Sequence, residues 1–431
     1  MASVVFYFQV HQPMRLRRYS VFDSDPFYFD TDKNGEICRK VAEKCYRPAT
    51  KMILDLVKRH KGRFKVSYAI TGTALEQFAE FTPDVIDLFR QLADTGCCEF
   101  IAETYYHSLS FLYSREEFAT QVDMHTSKIY ELFGQVPKVF RNTELIYNND
   151  LAHYVSTMPA VGTDGKVLTG AAAKPRFLGS ICEGTDWHLG YRSPNYVYRP
   201  PHTQAREASG KPFGILLKNY RLSDDIAFRF SNRGWAEWPL SAERFAEWVN
   251  KINGDGYICN LFMDYETFGE HQWADTGIFK FVDALPEKIF DVNPGQNDFM
   301  TPSEVFAKFE PVGSYDVPHM ISWADTERDL SAWLGNAMQS NALNEVFRLE
   351  RLVKQRAVQA AGSADEAVRN NAKFLVEDWR KLTTSDHFYY MSTKYWADGD
   401  VHKYFSPYES PYDAYINYMN VLDNLRARAT N

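Results

Sequence analysis

The chain has little cysteine for its length, six residues in 431: Cys38, Cys45, Cys97, Cys98, Cys182 and Cys259. Their spacing matches neither a disulfide framework nor a zinc motif, which argues against a fold stapled by cross-links or by structural metal. Cys97, Cys98 and Cys259 fall in apolar runs, where a buried thiol is expected. No window of 18 or more apolar residues offers a membrane span. The first residues, MASVVFYFQVHQP, lack a basic segment followed by a long apolar stretch and a cleavage site. They read as a first strand with no export signal, so a cytoplasmic location is expected. Basic clusters are scarce too. Arg15-Leu16-Arg17-Arg18 is the densest, and the net charge is −8, which argues against nucleic acid as a partner. A GxSxG elbow, a GxGxxG loop and a P-loop are missing, which sets aside a serine nucleophile and a phosphate cradle of those types. The sequence shows neither an internal repeat nor a low-complexity tract.

Aromatic residues are abundant, at 15% of the chain. Most of that excess belongs in a core, although flat rings also match the apolar face of a pyranose and so lend weak support to a carbohydrate ligand. Short apolar runs alternate with helical segments, the pattern of an α/β fold with parallel strands. Seven runs can be placed: residues 4–10, 65–70, 98–102, 138–142, 160–163, 214–218 and 257–263. Ser114 to Glu117 forms a capping box, with Gly134 as the helix stop. Thr82-Pro83-Asp84 opens a helix that Gly96 ends, and Thr301 to Glu304 is a second capping box. From about residue 325 the spacing of Leu330, Trp333, Leu334, Val346, Leu349 and Val353 is helical throughout. A Gly362-Ser363 break separates two of these helices. The expected division is a strand-rich domain at 1–310 and a helical domain at 311–431 that contributes to the cleft.

Polar residues follow each run: His11, then Thr71 and Glu76, Glu103 and His107, Glu144, Asp164, Asp224-Asp225, and finally Asp264 with Glu266. In a barrel of parallel strands, functional residues gather at the C-terminal strand ends. Two carboxyl groups facing each other across a cleft suit glycosidic bond cleavage, one as proton donor and the other as nucleophile or base. Glu144 and Asp264 are the pair chosen. A helix cap for Glu144 and a salt bridge for Asp264 are the competing structural roles. His11, His107, Asp264 and His271 are metal-ligand types, but neither HxxxH nor HExxH spacing occurs. Glu270-His271 after Gly269 reads equally well as a turn.

These residues resemble glycoside hydrolase family 57, an α-amylase-like family built on a seven-stranded barrel. His11-Gln12-Pro13 is similar to the family's opening motif, and Leu75-Glu76 to its second region. Phe140-Arg-Asn-Thr-Glu144 resembles the third, which carries the nucleophile. Met263-Asp264-Tyr-Glu266-Thr-Phe-Gly269 resembles the fourth, which carries the general acid. Glu327-Arg-Asp329-Leu-Ser-Ala-Trp333 resembles the fifth. Many members have Trp before the nucleophile and Arg after it, where this chain has Thr143 and Leu145.

The resemblance implies a (β/α)7 barrel, an incomplete TIM-like barrel, followed by a C-terminal α-helical domain. It also implies a retaining hydrolase for α-1,4 bonds of α-glucans or maltooligosaccharides, with Glu144 as nucleophile and Asp264 as acid/base. A 4-α-glucanotransferase or branching enzyme using the same site, or a non-catalytic carbohydrate-binding homologue, is the alternative. His11, Gln12, Glu76, His107, Trp187, Glu266, Asp329 and Trp333 are the implied substrate-binding residues. For each Trp, core packing is the equal alternative. No cofactor, metal or membrane partner is expected.

Overall fold

The computed structural model describes residues 1–162, 167–168, 174–201, 211–394 and 406–430. Strand β1 (Ala2–Val10) is buried along its whole length, as a parallel strand covered on both faces should be. It lies between β2 (Val66–Ile70) and β7 (Ile258–Asp264), with β3 (Cys98–Phe100) beyond β2; β8 (Asn297–Phe299) pairs with the start of β1. A second parallel sheet has the order β4 (Val139–Arg141), β5 (Gly179–Glu183) and β6 (Gly214–Lys218).

A parallel bridge from Ala102 to Phe140 joins the strand line beyond β3 to β4. On the other side, the Asn219 N–H donates to the Asn260 carbonyl at 2.9 Å, linking the end of β6 to β7. Alternation along the strands sorts the side chains. Val4, Phe6, Phe8 and Val10 pack outward with the helices, while Val5 and Tyr7 meet Ile101, Val139, Ile181, Leu216 and Phe262 in an inner cluster drawn from both sheets.

One sequence expectation fails here. The expected fifth strand at 160–163 is not found among the described residues, where Val161 makes only an isolated antiparallel bridge to Val167; Thr163 and Asp164 lie outside the described residues. The fifth strand is instead GSICE, whose small and polar residues conceal its complete burial. Gly179 and its β6 neighbour Gly214 are needed because a Cβ at either would run into the Phe306 ring. Strand β8 was not foreseen.

The helix starts and stops lie where expected, although Thr82 makes no side-chain cap bond and the Glu117 carboxylate pairs with Arg380 and Lys354 in place of closing a capping box with Ser114. The Ser114 side chain accepts from the Glu117 N–H of helix Arg115–Phe133, which ends at a left-handed Gly134. Thr301 and Glu304 form the reciprocal capping box. Beyond residue 330 the described elements are helices, with Trp333, Leu343, Val346, Trp379 and Leu422 in one core. Gly362 and Ser363 break Glu350–Ala361 from Glu366–Lys381. All six cysteines are free and buried. Among the described residues no helix is long and apolar enough to cross a membrane.

The helical segment is tied to the strand-bearing part through Glu117. Its buried carboxylate accepts from Arg380 Nε at 2.7 Å and lies 3.0 Å from Lys354 Nζ. Arg380 and Lys354 are partly exposed and Lys354 keeps Glu350, so Glu117→Ala is expected to cost about 2 kcal/mol in denaturant unfolding, less than for a fully buried pair. A loss under about 0.5 kcal/mol would mean that the tie is no stronger than a surface pair.

Candidate active site

Strand register brings the site together. In β1, Gln9 lies level with Asp264 of β7 and with Ala69 of β2, so His11, Thr71 and Asp264 emerge at one rim. The bridge at Ala102 sets Glu103 and His107 beside the end of β4, from which Glu144 follows.

Glu144 holds a left-handed backbone, φ 59°, in the turn Thr143–Leu145. That conformation is uncommon for a residue with a side chain and persists where the surroundings fix it. Here both carboxylate oxygens are held. Oε1 accepts from Ser385 Oγ at 3.0 Å and lies 3.3 Å from His107 Nε2, and Oε2 accepts from the Trp323 indole N–H at 2.8 Å. The backbone N–H of Trp323 also bonds the Glu144 carbonyl at 3.1 Å.

His107 bridges two carboxylates, with Nδ1 3.1 Å from Glu103 Oε2. Burial opposes its charge, but the bonds to Glu103 and Glu144 prevail and raise it to about 9. It is therefore an imidazolium at neutral pH, donating both N–H groups. The His11 ring stacks on it at 4.0 Å between centroids. Burial and that neighbouring charge lower His11, which stays neutral. Its Nε2 donates to Asp386 Oδ2 at 2.8 Å, and its Nδ1 therefore accepts from the Thr71 hydroxyl at 3.0 Å.

The two chosen carboxyls are driven apart in acidity. Burial alone would raise Glu144, yet the bond and charge of His107, with Arg141, bring it below its ordinary value. Burial, then the charge of Glu144, pushes Asp264 up to about 6. One carboxyl stays ionised while the other keeps its proton longer, the split an acid/nucleophile pair requires. Glu266 sits deeper and accepts from the Tyr46 hydroxyl; burial and Asp264 push it up to about 8. It is thus neutral at pH 7. Glu266→Gln, which copies that neutral form, is expected to keep kcat within about tenfold at pH 6, measured on a maltooligosaccharide. A thousandfold loss would show that Glu266 acts as a carboxylate. Gly269, at φ 112°, closes the following turn where a Cβ would strike the Lys44 backbone. Glu270 pairs with Lys40 at 2.8 Å and Lys44 at 3.2 Å, which is a structural role.

Among the other sequence candidates, Gln12 is buried against Tyr46, and Glu76 accepts from Tyr105 at 3.0 Å. Neither bonds to Glu144 or Asp264. Trp187 is 57% exposed on the short helix Asp186–Leu189 that follows β5. Asp329 is exposed and accepts from the Ser331 N–H at 2.8 Å. Trp333 is 1% exposed in the helical core, so the packing alternative describes it.

Sequence reading missed Trp323, Ser385 and Asp386, all from the C-terminal third. Of a charged cluster at the ends of β5 and β6, the sequence reading picked out Asp224 and missed Glu183, Lys218 and Arg328. There Lys218 Nζ lies 3.6 Å from Glu183 and 3.2 Å from Asp224, and Arg328 lies 3.5 Å from Glu183. Among the described residues no group of three or more His, Cys, Asp and Glu is placed to hold a metal ion.

The model of Glycosyl hydrolase family 57 matches residues 5–318, a span holding both Glu144 and Asp264. The chain belongs to this family. As a family 57 glycoside hydrolase it is 41% identical over 427 residues to a Methanocaldococcus jannaschii protein named "Putative alpha-amylase", covering 97% of this chain and 83% of that one. Its fold is similar to that of the GH57-type branching enzyme of Pyrococcus horikoshii, with a TM-score of 0.63 at 14% identity over 98% of this chain and 88% of that one. It is also similar to the 4-alpha-glucanotransferase of Thermococcus litoralis, with a TM-score of 0.57 at 18% identity. That match covers 90% of this chain, which spans only 56% of the glucanotransferase.

Proposed function

We propose that this family 57 enzyme hydrolyses α-1,4 bonds of α-glucans with retention, through Glu144 and Asp264. The opposite displacement of these two carboxyls at one rim of the strands carries the reading. Glu144 attacks the anomeric carbon while Asp264 gives its proton to the departing sugar oxygen. Asp264, now ionised, takes a proton from water as that water releases the glycosyl group from Glu144. The mechanism needs the carboxyls about 5–5.5 Å apart.

Each oxygen of Glu144 has a distinct setting. Two donors engage Oε1, while Oε2 accepts only the indole N–H and keeps a lone pair for attack. In this reading His11, stacked on His107, and Asp386, bonded to His11, bind the sugar's hydroxyls. The architecture proposed for the two sheets is one (β/α)7 barrel, joined through the Ala102–Phe140 bridge and the Asn219–Asn260 bond. In this reading residues 1–310 form the barrel. Residues 311–431 form the helical domain that supplies Trp323, Ser385 and Asp386, and the enzyme works in the cytoplasm.

The test is a time course with one defined maltooligosaccharide. Shorter sugars alone support hydrolysis. Longer sugars beside them would show that a sugar hydroxyl competes with water, the transferase outcome. No turnover on several α-glucans would overturn the substrate assignment.

A further inference from the structure

Arg141 ends β4, three positions before Glu144, and is wholly buried. Among the described residues, none of its Nε, Nη1 and Nη2 atoms has a hydrogen-bond partner. Nη1 lies 3.6 Å from Glu103 Oε2, and the guanidinium carbon is 5.0 Å from the centre of the Trp323 ring. A guanidinium keeps its charge in any protein setting, and burying one without hydrogen bonds weakens a fold. Such a residue is retained where its effect on its neighbours outweighs that cost.

Those neighbours come from four strands. The Tyr7 phenol lies on β1, Glu103 follows β3, Glu144 follows β4, and Asp264 ends β7; each interacts with the Arg141 charge or with the groups it pairs. Glu144 is also faced by His107 and Asp386, and Asp264 by His107 and Lys218. Asp386 in turn faces His11 and His387. Lys218 Nζ stands 5.5 Å from the Trp323 ring that Arg141 also approaches.

We infer that Arg141 is a positioning residue for the reaction, a fixed buried cation 3.6 Å from Glu103 and over the Trp323 ring that holds Glu144, which acts on the Glu144–Asp264 pair through its field without touching the sugar. The inference rests on the assignment of those two as nucleophile and acid. Its nitrogens are closed to solvent, so a sugar in the cleft does not reach them. A guanidinium suits the role better than a second imidazole, because its charge does not titrate and its field is constant over any working pH.

Arg141 favours the ionised form of both carboxyls. Removing its charge raises both pKa values. Glu144 must be ionised, so the acid limb of the kcat/KM profile moves to higher pH. Asp264 must be protonated, so the alkaline limb moves up as well.

The experiment is the pH profile of kcat/KM on a maltooligosaccharide for wild type, Arg141→Met, Arg141→Gln and Arg141→Lys, with thermal unfolding of each. Both neutral variants are expected to shift both limbs upward by about half a pH unit or more and to lose roughly tenfold in kcat at the wild-type optimum. KM should stay within about twofold, and the unfolding temperature should be unchanged or higher. Arg141→Lys, which keeps a cation, should leave the limbs in place. Unmoved limbs with a lowered unfolding temperature in the neutral variants would overturn the inference and leave Arg141 a packing residue. If the Met and Gln variants do not fold, Arg141→Lys decides: near-wild-type kcat, or limbs moved upward as a buried ammonium loses its proton, supports the inference, whereas a tenfold loss of kcat with the limbs in place would overturn it as a demand for the guanidinium's shape. Parallel assays of Glu144→Gln and Asp264→Asn separate the two levels. If both are inactive while the Arg141 profiles do not move, this inference alone falls; wild-type turnover in either removes the assignment beneath it.

Discussion

Glu144→Gln is expected to lower kcat on maltooligosaccharides by on the order of 10⁴-fold while leaving their binding within a few-fold. The amide has the shape of the carboxylate and, with its one oxygen toward the Trp323 indole N–H, can turn its NH2 to donate to Ser385 Oγ, but it cannot form the glycosyl ester. His107 loses one of the two carboxylates that hold its proton, so its pKa should fall from about 9. Single-turnover kinetics and calorimetric titration of the variant with the same sugar check both halves. Near-normal turnover would remove Glu144 from the mechanism, and lost binding with an intact fold would make it a binding residue.

Asp264→Asn should cost about 10²–10⁴-fold on the same substrate, the range for losing a placed proton donor. The loss should be smaller on an aryl α-glycoside with an acidic phenol, whose departure needs no proton. Added azide should then speed release from Glu144, because azide attacks without a general base, and yield the α-glycosyl azide. The pH dependence follows from the same residue. Asp264 must be protonated, so wild-type kcat/KM should hold below its raised pKa and fall as pH rises through about 6. Glu144 must be ionised, so activity should also fall at low pH, below the ordinary carboxylate value. The two carboxyls are coupled, and the limbs belong to the pair. In Asp264→Asn the alkaline limb should be absent; its persistence would assign that limb to another group.

Glu144, Asp264, His11 and His107 were legible in the sequence for a shared reason: each follows an apolar run, and parallel strands deliver such positions to one rim. The fifth strand was not legible, because Gly179, Ser180 and Cys182 present no hydrophobic run although the whole strand is buried. Its end residue Glu183, and with it the cluster around Lys218 and Arg328, was hidden for the same reason. Trp323 and Ser385 were out of reach in a different way. They contact Glu144 across 179 and 241 residues of sequence, from segments whose local pattern is that of a loop and a short helix turn. Trp333 shows the converse. It lies in a motif that resembled a site region, and the helical period that runs through it was the better guide, since it points into the core. Arg141 lies inside the quoted Phe140–Glu144 stretch, yet a strand-end arginine looks like an ordinary surface cation until its burial is seen.

The most direct test of the double-displacement reading is to trap the intermediate with 5-fluoro-α-glucosyl fluoride and locate the label by peptide mass spectrometry. The expected result is one added glycosyl unit on the peptide that holds Glu144, absent from Glu144→Gln. A label on another carboxylate, or turnover of the reagent with inversion and no adduct, would contradict it.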